Sequence, residues 1–336
     1  MHQKKKPYLL TLNQKYRKYI LKTLLKNYKQ YISGQNLSKE LKLTRTSIWK
    51  YIKNLRDEGY IIESCTKLGY RLISIPDLII PHEIEENQNT KYLGKKVYHF
   101  KVVDSTNNIA QDLAKNGAPH GTLIIAETQN KGKGRYSRIW ISPKGGLWFS
   151  IILKPNFSPD QASRITLVAA ISVAQAIKSS FELDVSIKWP NDIYFKQKKV
   201  SGILTEMNAE IDKINFLIIG IGINVNNKLP LPILKTSLSL KNILKRKIDR
   251  TLLLKNILSQ LEKNIEKLEN TGFSYFLDEA LKLCFILNKR IKVIIPNEII
   301  IGKCKDIDEN GNLILIEDNG NIRTIISGDI ILLRNK

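Results

Sequence analysis

The sequence predicts a multidomain α+β protein: an N-terminal winged helix-turn-helix, a central mixed α/β domain and a small C-terminal β-barrel or sandwich. Three observations carry this. Residues 33–73 hold two short runs with helical apolar spacing, then two short alternating strands around a glycine. Residues 95–285 alternate strand-like and helix-like runs, as in an α+β or α/β domain. Residues 286–335 hold only short strands, with Asn-Gly turns at 310–311 and 319–320.

In chain order, Tyr16, Tyr19, Ile20, Leu24 and Leu25 predict a helix over 14–29. Leu37 and Leu41 give the next, short helix its core face, and Leu43 sits in a turn. Thr44 or Thr46 caps a further helix whose buried face is Ile48, Ile52 and Leu55, and Gly59 ends it. Strands at Tyr60–Glu63 and Tyr70–Ile73 make the wing. The winged domain is placed at 1–75. Residues 74–86 carry two prolines and mark a linker, taken as 76–89. The central domain, 90–285, has strand candidates Tyr98–Val103, Thr122–Thr128, Leu147–Leu153, Val185–Trp189, Val200–Met207 and Phe216–Val225. Its helix candidates are Thr106–Asn116, Pro159–Phe181, Arg250–Glu269 and Ser274–Leu283. The β domain takes 286–336.

Charge is unevenly placed. The net charge is +23, and residues 1–75 hold 17 Lys+Arg against 4 Asp+Glu, whereas residues 286–336 nearly balance. A basic N-terminal domain points to an anionic partner such as nucleic acid. No run of eighteen uncharged apolar residues occurs, so no membrane span is expected, and the N-terminus lacks a signal peptide's apolar run. Cys65, Cys284 and Cys304 are widely scattered, which fits a reducing cytoplasm. The four histidines lack zinc spacing, which argues against a zinc enzyme.

Four segments carry candidate chemistry. Lys131-Gly-Lys-Gly-Arg-Tyr-Ser-Arg-Ile-Trp140 places Lys133, Arg135 and Arg138 around two glycines. The glycines let backbone N–H groups approach an anion, and the empty loop is expected to be mobile and self-repelling. A solvated basic loop fits the composition equally well. Lys188-Trp-Pro-Asn-Asp192 aims a lysine from a strand end, and Asn191 and Asp192 suit phosphate or magnesium; a plain turn is the alternative. In Asp104-Ser-Thr-Asn-Asn108, Ser105 or Thr106 caps a helix, or the hydroxyls and amides bind a polar ligand at its N-terminus. Gly220-Ile-Gly-Ile-Asn224-Val is a strand whose glycines mark close backbone packing or ligand approach.

In this order and at these separations, the four segments resemble the pattern of bifunctional biotin protein ligases that double as biotin operon repressors (the BirA family). The resemblance spans about residues 90–335, and the winged helix matches the bifunctional class. It implies a core of the biotin/lipoate protein ligase type and a C-terminal SH3-like β-barrel. It implies biotin and ATP as substrates, Mg2+, a biotin carboxyl carrier domain as acceptor, operator DNA, and a homodimer when adenylate is bound. Ser105, Thr106, Asn107 and Gln129 would bind biotin, with Lys133, Gly134 and Arg135 closing over it. Lys188 would sit between the biotin carboxylate and the α-phosphate, with Arg135 beside it as the second catalytic group. Arg135, Arg138, Lys188 and Asn191 would bind ATP. The family's first loop arginine is Lys133 here, which keeps charge but loses the forked donor geometry. On the second helix of the winged domain, Thr44, Arg45, Thr46 and Ser47 would read DNA, with Lys50 and Lys53 on phosphates. Two alternatives stand beside this: a ligase whose winged helix does not bind DNA, and a lipoate or octanoate transferase of the same fold.

Overall fold

The computed structural model describes residues 12–333 apart from 58, 75–76, 80, 87–88, 156–158, 160–161, 212 and 297. The expected start of the helix at Pro159 falls partly outside these residues, as does the N-terminus read above for a signal peptide. The chain forms two compact units, Met1–Asp77 and Leu78–Lys336.

The first unit contains α1 (Leu12–Lys26), β1 (Tyr31–Ile32), α2 (Gly34–Leu41), α3 (Arg45–Asp57), β2 (Ile61–Cys65) and β3 (Gly69–Ser74). Ser33 caps α2, and the Thr44 hydroxyl caps α3 by accepting from the Ser47 N–H at 3.1 Å. Ile20, Leu24, Leu37, Ile48, Ile52, Leu55 and Leu72 form the core. The strands pair in the order β1-β3-β2. Two residues are too few to show alternation, so β1 is not legible in the sequence. Gly69, at φ +102°, lets β3 pass β1, because a Cβ there would lie 2.0 Å from the Ile32 carbonyl oxygen.

In the second unit, packing begins inside the segment expected to be linker. Ile79 and Ile84 are buried, and Pro81–Glu86 is a helix, α4. There follow β4 (Val97–Val103), α5 (Thr106–Lys115), β5 (Leu123–Gln129), β6 (Leu147–Leu153), α6 (Ala162–Phe181), β7 (Ser186–Lys188), β8 (Asp192–Phe195), β9 (Lys198–Ala209) and β10 (Ile214–Ile223). These strands form a seven-stranded sheet, β4-β5-β6-β10-β9-β8-β7, in which only the β4–β5 pair is parallel. Short helices α7 (Leu231–Leu234) and α8 (Leu240–Leu244) lead to α9 (Arg250–Thr271) and, after a single 3-10 turn, α10 (Leu277–Leu283).

The sheet's two faces are covered unequally. Helix α6 is apolar nearly all round, so it is buried between the sheet and α9. On the other face, α5 sets Ala110 and Ala114 against Ile124, Ile152, Phe216 and Ile218. It covers only part of that face. Beyond its N-terminus the sheet is open.

The C-terminal strands β11 (Arg290–Ile295), β12 (Glu298–Ile307), β13 (Leu313–Glu317), β14 (Ile322–Ile325) and β15 (Asp329–Leu332) form a small antiparallel domain, with β15 returning to pair with β11. Gly311 and Gly320 take positive φ at the two Asn-Gly turns. The domain is tied to the core by a hydrogen bond of 2.9 Å from the Trp189 indole N–H to the Gly311 carbonyl.

A buried charge pair locks the core. At the N-terminus of α9, Arg250 donates to the Glu127 carboxylate at 2.7 Å and to the Gly146 carbonyl at 2.7 Å. Glu127 also accepts from the Ile79 N–H and lies 3.1 Å from His99 Nε2. Burial alone would raise the Glu127 carboxyl, but the His99, Arg250 and Ile79 contacts outweigh it and hold the pKa below the usual value. The stability carried by this charge is therefore present above the usual carboxylate range and lost as pH falls through the lowered pKa. Glu127→Gln should cost about 3 kcal/mol at neutral pH by removing the Glu127 charge from its buried contact with Arg250. It should also flatten the acid side of the stability profile. Urea unfolding across pH checks both, and an unchanged midpoint at neutral pH would refute the role of the pair.

Candidate active site

The open part of the α5 face holds a cavity of about 250 Å³. Its floor follows from strand register. Residues directly opposite in paired strands share a face. Trp148, Gly222, Gly202, Asp192 and Lys188 lie in one such row across β6, β10, β9, β8 and β7. Ser150, Gly220 and Leu204 form the next. Glycines thus line the middle of the floor, and side chains from elsewhere lie on them. A Cβ at Gly222 would meet Trp140 Nε1 at 2.4 Å, and one at Gly220 would meet Asn107 Oδ1 at 2.1 Å. The strand glycines admit protein groups, an indole and an amide, as well as open space.

Of the residues singled out from sequence, Ser105, Thr106, Asn107, Gln129, Lys133, Gly134, Arg135, Arg138 and Asn191 all line this cavity. Lys188 does not. It lies in the Asp192 row at the outer edge of the sheet, with its ammonium 5.8 Å from the Tyr194 ring centroid. Burial pulls its pKa down, against the raising pull of Asp192 and Asp329.

Two sequence expectations are corrected. The first is the cap of α5. Ser105 occupies the N-cap position, but its side chain makes no capping bond. Gln129 takes that part: its Oε1 accepts from the Thr106 N–H at 2.8 Å and hydroxyl at 3.1 Å. The second is the free, self-repelling loop. Each of its cations has a partner. Lys131 lies 3.3 Å from Asp104, and Lys133 donates to Glu206 at 3.3 Å. Arg135 donates to Asn191 Oδ1 at 3.2 Å, and Arg138 makes a forked pair with Asp329 of β15. Burial would raise the Asp329 carboxyl, but Arg138, with Lys188 and Arg135 nearby, holds it below the usual value. The repulsion among the cations is offset by acids brought from other elements, which local sequence does not reveal.

Sequence reasoning also missed Lys199 and Asp329 and assigned no role to Trp140, whereas it named Asp192. Lys199 lines the cavity, pairs with Asp192 at 2.7 Å and sits 4.9 Å from the Trp140 ring centroid. Trp140 Nε1 and Asp192 Oδ1 are buried without a hydrogen-bond partner among the described residues, one a donor and one an acceptor. Asp329 arrives from the C-terminal domain. The spacing of Lys199 and Gly202 along β9 signals a shared site only once β9 is known to lie beside β8.

In the first unit, Thr44, Arg45, Thr46, Lys50 and Lys53 are exposed and Ser47 is partly so. The Thr44 and Ser47 hydroxyls bond each other at 2.9 Å, and Arg45 donates to Gln35 at 2.8 Å. Trp49, whose packing the sequence leaves open, is half exposed, and Lys53 stands 5.6 Å from its ring centroid. Among the described residues no helix is long and apolar enough to cross a membrane, and no cluster of His, Cys, Asp and Glu suited to a metal occurs.

Comparison with known proteins agrees with this geometry. The biotin/lipoate A/B protein ligase family matches residues 99–224, an HTH domain matches 17–71, and the biotin protein ligase C-terminal domain matches 286–333. A Bacillus subtilis protein named bifunctional ligase/repressor BirA is 40% identical over 309 residues, covering 90% of this chain and 94% of its own. The Escherichia coli protein of the same name is 30% identical over 305 residues, with 90% and 93% covered. The structure of a biotin protein ligase from Aquifex aeolicus in complex with biotin and ATP superposes with a TM-score of 0.64 at 33% identity, covering 72% of this chain and all of that one.

The glycine floor gives a direct test. Gly222→Ala should push the Trp140 indole off β10, shift tryptophan emission to the red and cost about 1–3 kcal/mol in urea unfolding. Unchanged emission would mean that the indole does not rest on that strand.

Proposed function

The chain belongs to the biotin protein ligase family, in its bifunctional ligase/repressor branch, and from that membership we propose how its residues perform the reaction. Biotin and ATP form biotinyl-5'-AMP with release of pyrophosphate. The biotinyl group then passes to a lysine of a carboxyl carrier domain. The observation that carries this reading is one cavity lined both by the polar side chains of Ser105, Thr106, Asn107 and Gln129 and by Lys133, Arg135 and Arg138 of the loop.

The reacting groups are both anionic, so the site must hold them together against repulsion. Thr106, Asn107 and Gln129, with Ser105, take the ureido ring of biotin at the N-terminus of α5. Lys133, Gly134 and Arg135 cover it. The biotin carboxylate attacks the α-phosphorus, the bond to the bridging oxygen breaks, and pyrophosphate leaves. Arg135, Arg138 and Asn191 hold the phosphates, and negative charge growing on phosphate oxygens is met by cations already in place. Lys188 reaches the carboxylate and α-phosphate by rotating off Tyr194 along the face it shares with Asp192. Lys199, although unanticipated, adds a fixed positive charge at the same end. The closed loop then shields the mixed anhydride from water until the acceptor amine attacks its acyl carbon and AMP departs.

Mg2+ fits the oxygen donors at this end only in part. The unpartnered Asp192 Oδ1 is a hard ligand, and Asn191 lies beside it, but the other carboxylate lining the cavity, Asp329, is paired with Arg138, and among the described residues no group of three metal-binding side chains occurs. Bound there, the ion would neutralise phosphate charge, held chiefly by phosphate oxygens and water. The lipoate or octanoate alternative is disfavoured by the C-terminal match, which is to biotin protein ligases.

Incubation with biotin, ATP and a carrier domain should raise the carrier mass by one biotinyl group, and an unmodified carrier would refute the ligase reading. Lys188→Ala should slow pyrophosphate release by about 10²- to 10³-fold. A near-normal rate would remove Lys188 from the chemistry.

The winged unit supplies the second activity, repression. The N-terminal end of α3 enters the major groove, with Thr44, Arg45, Thr46 and Ser47 at the bases and Lys50 and Lys53 on phosphates. One winged helix reads one half-site, so a two-fold operator calls for a homodimer, which adenylate favours. Selection from random duplex DNA should yield inverted repeats that bind about tenfold more tightly with biotin and ATP present. Binding indifferent to both would break the link between biotin supply and repression.

A further inference from the structure

Behind the cavity runs a chain of polar contacts that leaves the basic loop at one residue and returns to it at another. Lys133 donates to Glu206 Oε1 at 3.3 Å. The Asn107 amide Nδ2 donates to Glu206 Oε2 at 2.6 Å. The Ser150 hydroxyl donates to Asn107 Oδ1 at 2.6 Å and lies 2.7 Å from Thr106 Oγ1. Thr106 donates to Gln129 Oε1, and Gln129 Nε2 donates to Ser142 Oγ at 2.8 Å. The Ser142 hydroxyl closes the circuit on the Trp140 carbonyl at 3.0 Å.

Most links in this chain are ambiguous by themselves. A hydroxyl can donate or accept, and an amide can turn over. A carboxylate only accepts. Glu206 is therefore the group that fixes the Asn107 end of the chain, whereas the Thr106 N–H, which only donates, fixes the Gln129 end. Because it accepts from Asn107, the Asn107 oxygen must face Ser150, where it also lies over Gly220 with no room for a larger residue. Its second oxygen takes the ammonium of Lys133. Glu206 itself is absent from the cavity wall, so it acts through the two residues that are there.

The loop needs such an anchor. Tyr136 and Ser137, at its tip, both have positive φ (54° and 57°), a left-handed conformation that non-glycine residues adopt at a cost. Contacts outside the loop must sustain it. The contact at Asp104 is between largely exposed groups and is weak. The Lys133–Glu206 pair is better shielded and shares the task with the Arg135–Asn191 and Arg138–Asp329 contacts.

We propose that Glu206 is a positioning residue that couples loop closure to pocket polarity: one oxygen holds Lys133 and the loop, and the other fixes the donor–acceptor orientation of Asn107. Its consequence for biotin rests on the ligase reading, but the loop arm can be tested without any substrate. Trypsin cuts at Lys131, Lys133, Arg135 and Arg138, so proteolysis of the ligand-free full-length protein reports how firmly the loop is held.

Glu206→Gln should speed cleavage within 131–138 by roughly fivefold or more, the expected effect of losing a partly shielded charged hydrogen bond. Lys133→Gln should do the same at the three remaining sites. The double variant, compared at those sites, should stay within about twofold of either single variant, because both remove one contact. Cleavage of Glu206→Gln within twofold of the parent, or single effects that multiply in the double variant, would overturn the loop arm. For the pocket arm, Glu206→Gln should raise the KM for biotin in pyrophosphate release about tenfold while kcat stays within about twofold. Loss confined to kcat would overturn that arm, whereas a parent protein that releases no pyrophosphate would refute the ligase reading and leave the proteolysis result intact.

Discussion

Like charges must be crowded together here, and that constraint organises the rest of the site. A loop of ten residues carries Lys131, Lys133, Arg135 and Arg138 over a floor that adds Lys199. In water these groups would spread apart. They are held close because acids arrive from four different places: the end of β4, strand β8, strand β9 and strand β15. Asp192 answers Lys199, Glu206 answers Lys133, and Asp329 answers Arg138. The fold in this sense delivers counter-charges to the loop and its floor, three of the four on strands.

The floor obeys a second constraint, that of space. Side chains on one face of a sheet normally fill it. On β9 and β10 the places nearest the cavity are glycines, and the volume they release is taken by Trp140 and Asn107 from the loop and from α5. The same helix that covers Ile124, Ile152 and Ile218 ends where the glycines begin, so its N-terminal turn overlooks the site. The buried Arg250–Glu127 pair fixes β5 from the opposite face, two residues before Gln129, and so steadies the strand end from which Gln129 caps the helix.

Much of this was legible in the sequence, for identifiable reasons. Periodicity placed α3, α5 and α9 because each has a clear apolar face, and the Asn-Gly pairs located the hairpins of the C-terminal domain. Residues 105–107, 129, 133–135, 138 and 191 line one cavity, and it was the family resemblance, not local pattern, that grouped them beforehand. What was hidden depended on pairing between distant strands. Strand β8 is four residues long and follows directly on the proline turn, so its own pattern is too brief to read. Glu206 and Asp329 look like ordinary surface acids until register and topology bring them to the loop. Lys188, expected to be aimed into the site from a strand end, lies instead on the edge strand outside the cavity lining, because cross-strand position cannot be counted along the chain.

The forked contact between Arg138 and Asp329 joins a loop of the core to the last strand of the C-terminal domain. The two segments are modular in sequence, and each is matched by its own family. Electrostatically they are not separable. A hybrid built from the core of one relative and the barrel of another would lose the charge balance at this point of the cavity unless it kept an acid facing this arginine. Recombination between relatives is thus constrained by this pair of side chains among other contacts between the two segments, and residues 138 and 329 are expected to change together across evolution, even though 190 positions separate them.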